Sequence, residues 1–442
     1  MKNVSETVIQ SHSLLQERVY GRKLSNGCQL FVWPKPGFTK KFAVFSTYYG
    51  SIDSHFIPPG QSGTVHVPDG IAHFLEHKMF EEEDGSVFDR FSRLGASANA
   101  YTNYTNTTYL FSCTDHFDEN LKILIDFVLH PYFTDENVEK EKGIIAQELQ
   151  MYRDIPEQRV YRNLLEALYH VNPVRLEIGG TVESIQKITK ELLYTCYNTF
   201  YHPSNMVLVA VGDVDPEATL DLAEKEIMAR RPDFQGDIGR VYPAEPDAVK
   251  DKRREEKLAA ARPIFYLGFK DTPTGKPGEG LVQREFTMDF LLHLLFGGSS
   301  DLYTQLYEAG LINDEFGTMY SATPAYAYAI VGGETPDPAR LESRIWEGIE
   351  KRRQEGISDE DLERVRRRFL GQASTRFDSV EFIANAFSNL YFRGVNLLAY
   401  VDLIRQVKRE EVEELLQTAL TPERAAVSIV WPSGNGVSGS GK

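Results

Sequence analysis

Residues 244–262 divide this sequence into two stretches with the same grammar, and that repetition constrains the fold most. The dividing segment is rich in Pro, Asp, Lys, Arg and Glu, as in Asp251-Lys252-Arg253-Arg254-Glu255-Glu256-Lys257. Such a run reads as an interdomain linker, partly helical in places, with a solvated helix inside one domain as the alternative. Before it, strands are expected at 28–33, 42–48 and 206–211, with extended structure over 98–112. Helices are expected at 71–80, 86–94, 117–130, 134–153 and 216–230. After it, a strand at 264–269 leads to a helix at 283–296, a Gly-Gly-Ser-Ser turn at 297–300 and a short helix at 301–309. Strands at 315–321 and 326–332 follow, then helices at 336–355, 358–373 and 378–392, and a strand at 425–431. Each stretch thus passes from strands to helices and finishes on a strand. A chain of 442 residues exceeds one ordinary core. Two homologous α+β domains, 1–243 and 263–432, joined by a linker, account for both facts. The tail 433–442 (SGNGVSGSGK) has the composition of a flexible linker.

Composition sets aside several classes of function. With 42% hydrophobic and 25% charged residues, the chain is that of a globular protein rather than a disordered one. A net charge of −16 disfavours non-specific binding to nucleic acid or anionic membrane. No stretch approaches the roughly 20 apolar residues that span a bilayer. The N-terminus lacks a charged region followed by an apolar one, so no secretory signal is expected. Cys28, Cys113 and Cys196 form neither a disulfide framework nor a zinc motif. Reduced thiols and a cytoplasmic location are the expectation.

The chemistry is concentrated in Ile71-Ala72-His73-Phe74-Leu75-Glu76-His77. On a helix, positions i and i+4 share one face. His73 and His77 can therefore converge on one zinc ion. Glu76 projects beside that ion without being a ligand. Zinc lowers the pKa of a bound water, and a carboxylate can take its proton as the water attacks a peptide carbonyl. A catalytic zinc needs a third protein ligand. The best source is the segment Glu141 to Leu149, where Glu141 and Glu148 stand two turns apart on one helix face, with Ile144 and Ile145 between them. Two carboxylates beside an apolar stripe need cations or hydrogen bonds against desolvation. A solvated helix face is the plain alternative for the His/Glu/His triplet, but Phe74 and Leu75 mark that helix as half-buried. His55, His66, His130 and His293 read as structural or surface residues.

His73-Phe74-Leu75-Glu76-His77 has the H-x-x-E-H order of inverzincins, and its surroundings resemble the pitrilysin, insulin-degrading enzyme and mitochondrial processing peptidase family. The resemblance implies that Glu148 is the distal zinc ligand and that Glu141 supports the catalytic centre from behind. It also implies one Zn2+ per chain. Gly95-Ala96-Ser97-Ala98-Asn99-Ala100-Tyr101-Thr102 looks like the family's edge strand, which pairs with substrate backbone. Asn99, Ala100 and Tyr101 are the implied substrate-binding residues. Tyr201 to Asn205 and Met206 to Asp213 resemble the strand that closes the first domain. The C-terminal half resembles the family in layout and at Gly297-Gly298-Ser299-Ser300.

The same resemblance implies antiparallel-rich sheets packed with helices, and a chamber formed with a second chain. The substrate would add a strand to an exposed edge. One departure stands out. Many relatives carry an Arg just after the Gly-Ser turn and a Tyr about a dozen residues on, whereas here Asp301 and Gly310 to Phe316 occupy those places. Either a homodimer works without the pair, or a homologous partner lacking the zinc motif supplies it; the second is favoured. The expected activity is that of a zinc endopeptidase acting on peptides or unfolded and leader segments. A structural or assembly subunit that keeps the fold is the alternative. Its relatives show an eroded motif, which this chain does not. A binding module without turnover would not need Glu76.

Overall fold

The computed structural model describes residues 6–433 apart from 14, 84, 234–235 and 272–276. Residues 434–442, the body of the expected flexible tail, lie outside the described residues. The first half runs β1 (Thr7–His12), β2 (Glu17–Lys23), β3 (Gln29–Pro34), β4 (Lys41–Thr47), β5 (His55–Ile57), β6 (Val65–His66), α1 (Ile71–Lys78), β7 (Glu81–Glu82), β8 (Gly85–Ser86), α2 (Val87–Arg93), β9 (Ser97–Thr102) and β10 (Thr107–Cys113). It continues with α3 (Phe117–Val128), α4 (Asp135–Arg153), α5 (Pro156–Leu168), α6 (Val182–Ile185), α7 (Lys190–Phe200), β11 (Met206–Gly212), α8 (Pro216–Arg230) and β12 (Gly239–Arg240). The second half runs β13 (Arg253–Leu258), β14 (Ile264–Asp271), α9 (Glu279–Phe296), α10 (Asp301–Glu308), β15 (Gly317–Ala322) and β16 (Ala327–Glu334). It ends with α11 (Pro338–Glu355), α12 (Asp359–Arg376), α13 (Val380–Phe392), α14 (Tyr400–Gln406), α15 (Arg409–Thr418) and β17 (Ala425–Pro432).

The two halves repeat one topology. The first large sheet has the order β1-β2-β3-β11-β4-β10-β9, and the second has β13-β17-β14-β16-β15. Strand for strand, β3-β11-β4-β10-β9 matches β13-β17-β14-β16-β15. The first pair of each is parallel and the other three pairs are antiparallel. The inner strand β11, Met206–Gly212 (MVLVAVG), is apolar along its whole length and every residue is buried. Strands covered on both faces read this way.

Two compact units make up the chain. One comprises Met1–Leu149, Glu177–Val241 and Ala373–Leu398; the other comprises Gln150–Leu176, Tyr242–Gln372 and Ala399–Lys442. Each unit therefore includes a helix from the other half of the sequence, unlike the contiguous stretches 1–243 and 263–432. Within the first unit, α13 packs on β11 and β4, and the Phe31 and Phe387 rings lie 4.5 Å apart. Within the second, α5 packs on β17 and β14. The corresponding α5 and α13 each follow a long helix, α4 and α12.

The segment 244–262 is not a linker over its whole length. Residues 253–258 form β13, the edge strand of the second sheet, pairing in parallel with β17. Its charges serve that edge. Burial alternates along Arg253–Leu258, and within this unit Arg159 binds Glu256 at 2.9 Å while Arg253 binds Glu342 at 2.8 Å. A charged edge strand also resists pairing with another chain. α5 restarts after α4 because Pro156 occupies its first turn, where a missing N–H costs nothing.

Among the described residues, no helix is long and apolar enough to cross a membrane. Cys28, Cys113 and Cys196 are free thiols, all buried.

The fit of α5 on its sheet depends on Gly268. A Cβ there would lie 2.8–3.0 Å from the Leu164 side chain, which is itself fully buried. Gly268→Ala is expected to destabilise the fold by about 1–3 kcal/mol, read as a lower denaturant midpoint. An unchanged midpoint would contradict this packing.

Candidate metal centre

Helix α1 carries the histidines, and glycine backbones fix where it begins. Gly70, its N-cap, has φ 90°, a left-handed value that favours glycine. A Cβ on Gly70 would collide with the Gly179 carbonyl, and one on Gly180 would collide with the Asp69 carbonyl. Ser184 Oγ donates to the Asp69 carbonyl at 2.7 Å. The start of α1 is thus locked to the loop at 179–180. Ile71, Ala72, Phe74 and Leu75 are buried, which turns the face bearing His73 and His77 toward α4.

On that face the rings of His73 and His77 lie 4.5 Å apart. Glu148 of α4 approaches both: its Oε1 is 3.9 Å from His73 Nε2, and its Oε2 is 3.5 Å from His77 Nε2. Ligand atoms of these three residues all lie within 4.8 Å of one another. Such separations are long for hydrogen bonds. Donors bound to one tetrahedral zinc lie about 3.3–3.5 Å apart, so the set fits a shared ion. Glu148 Oε2 is buried with no hydrogen-bond partner, an orphan acceptor that a cation would satisfy.

Glu141 orients His77. Its Oε1 lies 3.1 Å from His77 Nδ1. A carboxylate only accepts, so Nδ1 carries a proton, which leaves Nε2 as the nitrogen that can bind a metal when His77 is neutral. His73 has no such carboxylate. Its Nδ1 is buried without a hydrogen-bond partner and packs against Gly179, where a Cβ would stand 3.3 Å away. Burial, and then the neighbouring His77, lower the His73 pKa to about 3, so its imidazole is neutral near pH 7. For His77, burial works the other way but is outweighed by Glu141, Glu76 and Glu148, and its pKa is raised. Burial likewise opposes ionisation of Glu141 and is outweighed by His77 and Lys78, which lower its pKa.

Glu76 lies buried beside the cluster. Thr102 Oγ1, at the end of β9, donates to Glu76 Oε2 at 2.6 Å. Burial raises the Glu76 pKa, against the Thr102 hydrogen bond and His77. A raised pKa makes this carboxylate a stronger base toward a water molecule.

Comparison with known proteins agrees with this architecture. The family model described as Insulinase (Peptidase family M16) matches residues 66–182, and that described as Peptidase M16 inactive domain matches 187–369. The uncharacterized zinc protease YmfH of Bacillus subtilis (strain 168) is 46% identical over 419 residues, covering 95% of this chain and 97% of its own length.

The chain belongs to the M16 peptidase family.

A solved M16-like peptidase from Alicyclobacillus acidocaldarius superposes with a TM-score of 0.90 at 37% identity, over 98% of this chain and 100% of that one. Pitrilysin matches at a TM-score of 0.75 and 16% identity, over 98% of this chain and 46% of its own; this likeness is one of fold. Among the described residues, the second repeat of this M16 chain holds no comparable group of donors. Counted from the start of each helix, Val365 and Gln372 of α12 stand where Glu141 and Glu148 stand in α4. Among the described residues, His73, His77 and Glu148 are the group able to hold a metal ion.

The structure brings His73, Glu76, His77, Glu141 and Glu148 together. It also puts Asn99, Ala100 and Tyr101 on β9, which ends its sheet and pairs on one side with β10. The side chains there have other duties. Tyr101 donates through its hydroxyl to Asn385 Oδ1 at 2.9 Å, and Asn99 Oδ1 accepts from the Ala100 N–H at 2.9 Å. Sequence reasoning missed Thr102 and Lys78. Thr102 closes the Asn99-Ala100-Tyr101-Thr102 run, and Lys78 is a lone charge between His77 and the apolar Met79-Phe80. Neither carried a spacing signal.

Glu148→Ala is expected to lower zinc affinity by at least 100-fold, because it removes one of three ligands. Chelator competition measures this, and unchanged affinity would move the third ligand elsewhere.

Proposed function

We propose that the chain is a zinc-dependent endopeptidase that hydrolyses peptide bonds in peptides or in unfolded and leader segments. The observation that carries this reading is the Glu148 carboxylate facing the Nε2 atoms of two histidines, Oε1 toward His73 and Oε2, which has no hydrogen bond, toward His77, with a separate carboxylate, Glu76, beside them. His73, His77 and Glu148 would hold one Zn2+, which when bound supplies an acidified water and polarises the scissile carbonyl. Glu76 takes the proton of the attacking water on a carboxylate oxygen and passes it to the leaving amine nitrogen. Thr102 keeps that carboxylate from rotating. Glu141 holds His77 in the tautomer that binds metal.

The unpaired edge of β9, at Asn99, Ala100 and Tyr101, receives extended substrate backbone as an added strand. This selects unfolded segments over folded domains. A second chain completes a substrate chamber. It is another copy, or a homologous chain without the zinc motif; Asp301 in place of an Arg favours the latter. The buried free thiols fit a reducing cytoplasm.

Glu76→Gln is expected to keep zinc near one per chain while reducing cleavage of unstructured peptides by at least 1000-fold. Peptide digests of both proteins check this, and a mutant as active as wild type would contradict the role of Glu76. Thr102→Val is expected to lower kcat about 10-fold with KM little changed, and Thr102→Ser to restore it. A change confined to KM would show that Thr102 serves substrate binding instead.

A further inference from the structure

The Lys78 side chain is fully buried, with 0% exposure. Lysine is rarely buried so completely unless it is paired. Its ammonium is shared between two carboxylates, Glu81 of β7 and Glu141 of α4, with Nζ 3.6 Å from Glu141 Oε2. The Glu81 contact alone does not explain the depth, because the Glu81 side chain is one-third exposed and a lysine could meet it at the surface. The Glu141 contact does explain it. The two oxygens of that carboxylate are divided: Oε1 faces His77 Nδ1 at 3.1 Å, and Oε2 faces Lys78.

From this geometry we infer that Lys78 is a positioning residue of the metal centre: it fixes the Glu141 carboxylate, which in turn presents His77 Nε2 to the ion. The inference rests on the zinc reading above. Lys78 follows His77 directly on α1, so one turn of helix carries both the ligand and the charge that sets its support. The ammonium, hydrogen-bonded to Glu81, stands 3.6 Å from Oε2 and attracts it, which favours the carboxylate orientation with Oε1 toward the imidazole. Without Lys78, Oε2 would be a buried acceptor with no cation, and the carboxylate would be free to turn away from His77. Groups that orient a ligand in this way typically govern metal affinity by 10–100-fold.

The test is a double-mutant cycle on zinc affinity in the full chain, by competition with a chelator of known affinity, with circular dichroism and a melting curve for each protein. Lys78→Met keeps the unbranched volume and removes the charge. It is expected to weaken zinc binding about 10-fold or more. Glu141→Gln is expected to weaken it similarly, and the double variant no further than Glu141→Gln alone, since Lys78 acts through Glu141. A merely structural lysine would add its own loss in the Glu141→Gln background, and that additivity would overturn the inference. So would wild-type affinity in folded Lys78→Met. Should Lys78→Met not fold, Lys78→Gln runs the same cycle with the same expectation. Absence of zinc binding by the wild type would instead overturn the zinc reading, and the inference with it.

Discussion

Three carboxylates and two imidazoles meet in one half-buried cleft, and the organisation of the first unit follows from accommodating them. Glu76, Glu141 and Glu148 reach it from two helices, and Lys78 is the fixed cation among them. Carboxylates taken out of water need opposite charge and hydrogen-bond donors. Glu141 has both, through His77 and Lys78, and Glu76 has the Thr102 hydroxyl. Glu148 Oε2 has no hydrogen-bond donor. A divalent ion held between it and the histidines, as proposed, would complete the balance and would supply an acidified water for Glu76 to deprotonate.

Placing these groups requires rigid elements, and the repeated sheet supplies them. In each half the same strand order supports a short helix and a long one. Among the described residues, only the first half groups side chains able to hold a metal ion; the second carries Val365 and Gln372 at the corresponding helix positions. The glycine contacts at 70 and 179–180 belong to the first half, where the register of α1 against α4 decides whether His73 and His77 reach Glu148. The framework is shared, and the chemistry lies in a few side chains grafted on it.

Much of this was legible in the sequence. Apolar periodicity located α3, α4 and α8 to within a residue or two, because each buries one face. The His73–His77 spacing and the Glu141–Glu148 spacing placed the donors on two helix faces. That the faces meet is a tertiary fact, settled by the packing of α1. β13 escaped because a charged edge strand has the composition of a linker. The helices α5, α7, α14 and α15 were not anticipated, although α5, α7 and α15 are amphipathic. The exchange of α5 and α13 between units leaves no local trace, since both are ordinary amphipathic helices. Lys78 was invisible for a similar reason: its meaning depends on Glu141, 63 residues further on.

The most direct test of the account is anomalous diffraction at the zinc edge from crystals of the full chain grown with zinc. One strong peak per chain is expected, within bonding distance of His73 Nε2, His77 Nε2 and a Glu148 carboxylate oxygen, with Glu76 outside bonding distance. No peak at this position, or a zinc bound elsewhere with His73, His77 and Glu148 left unliganded, would contradict it.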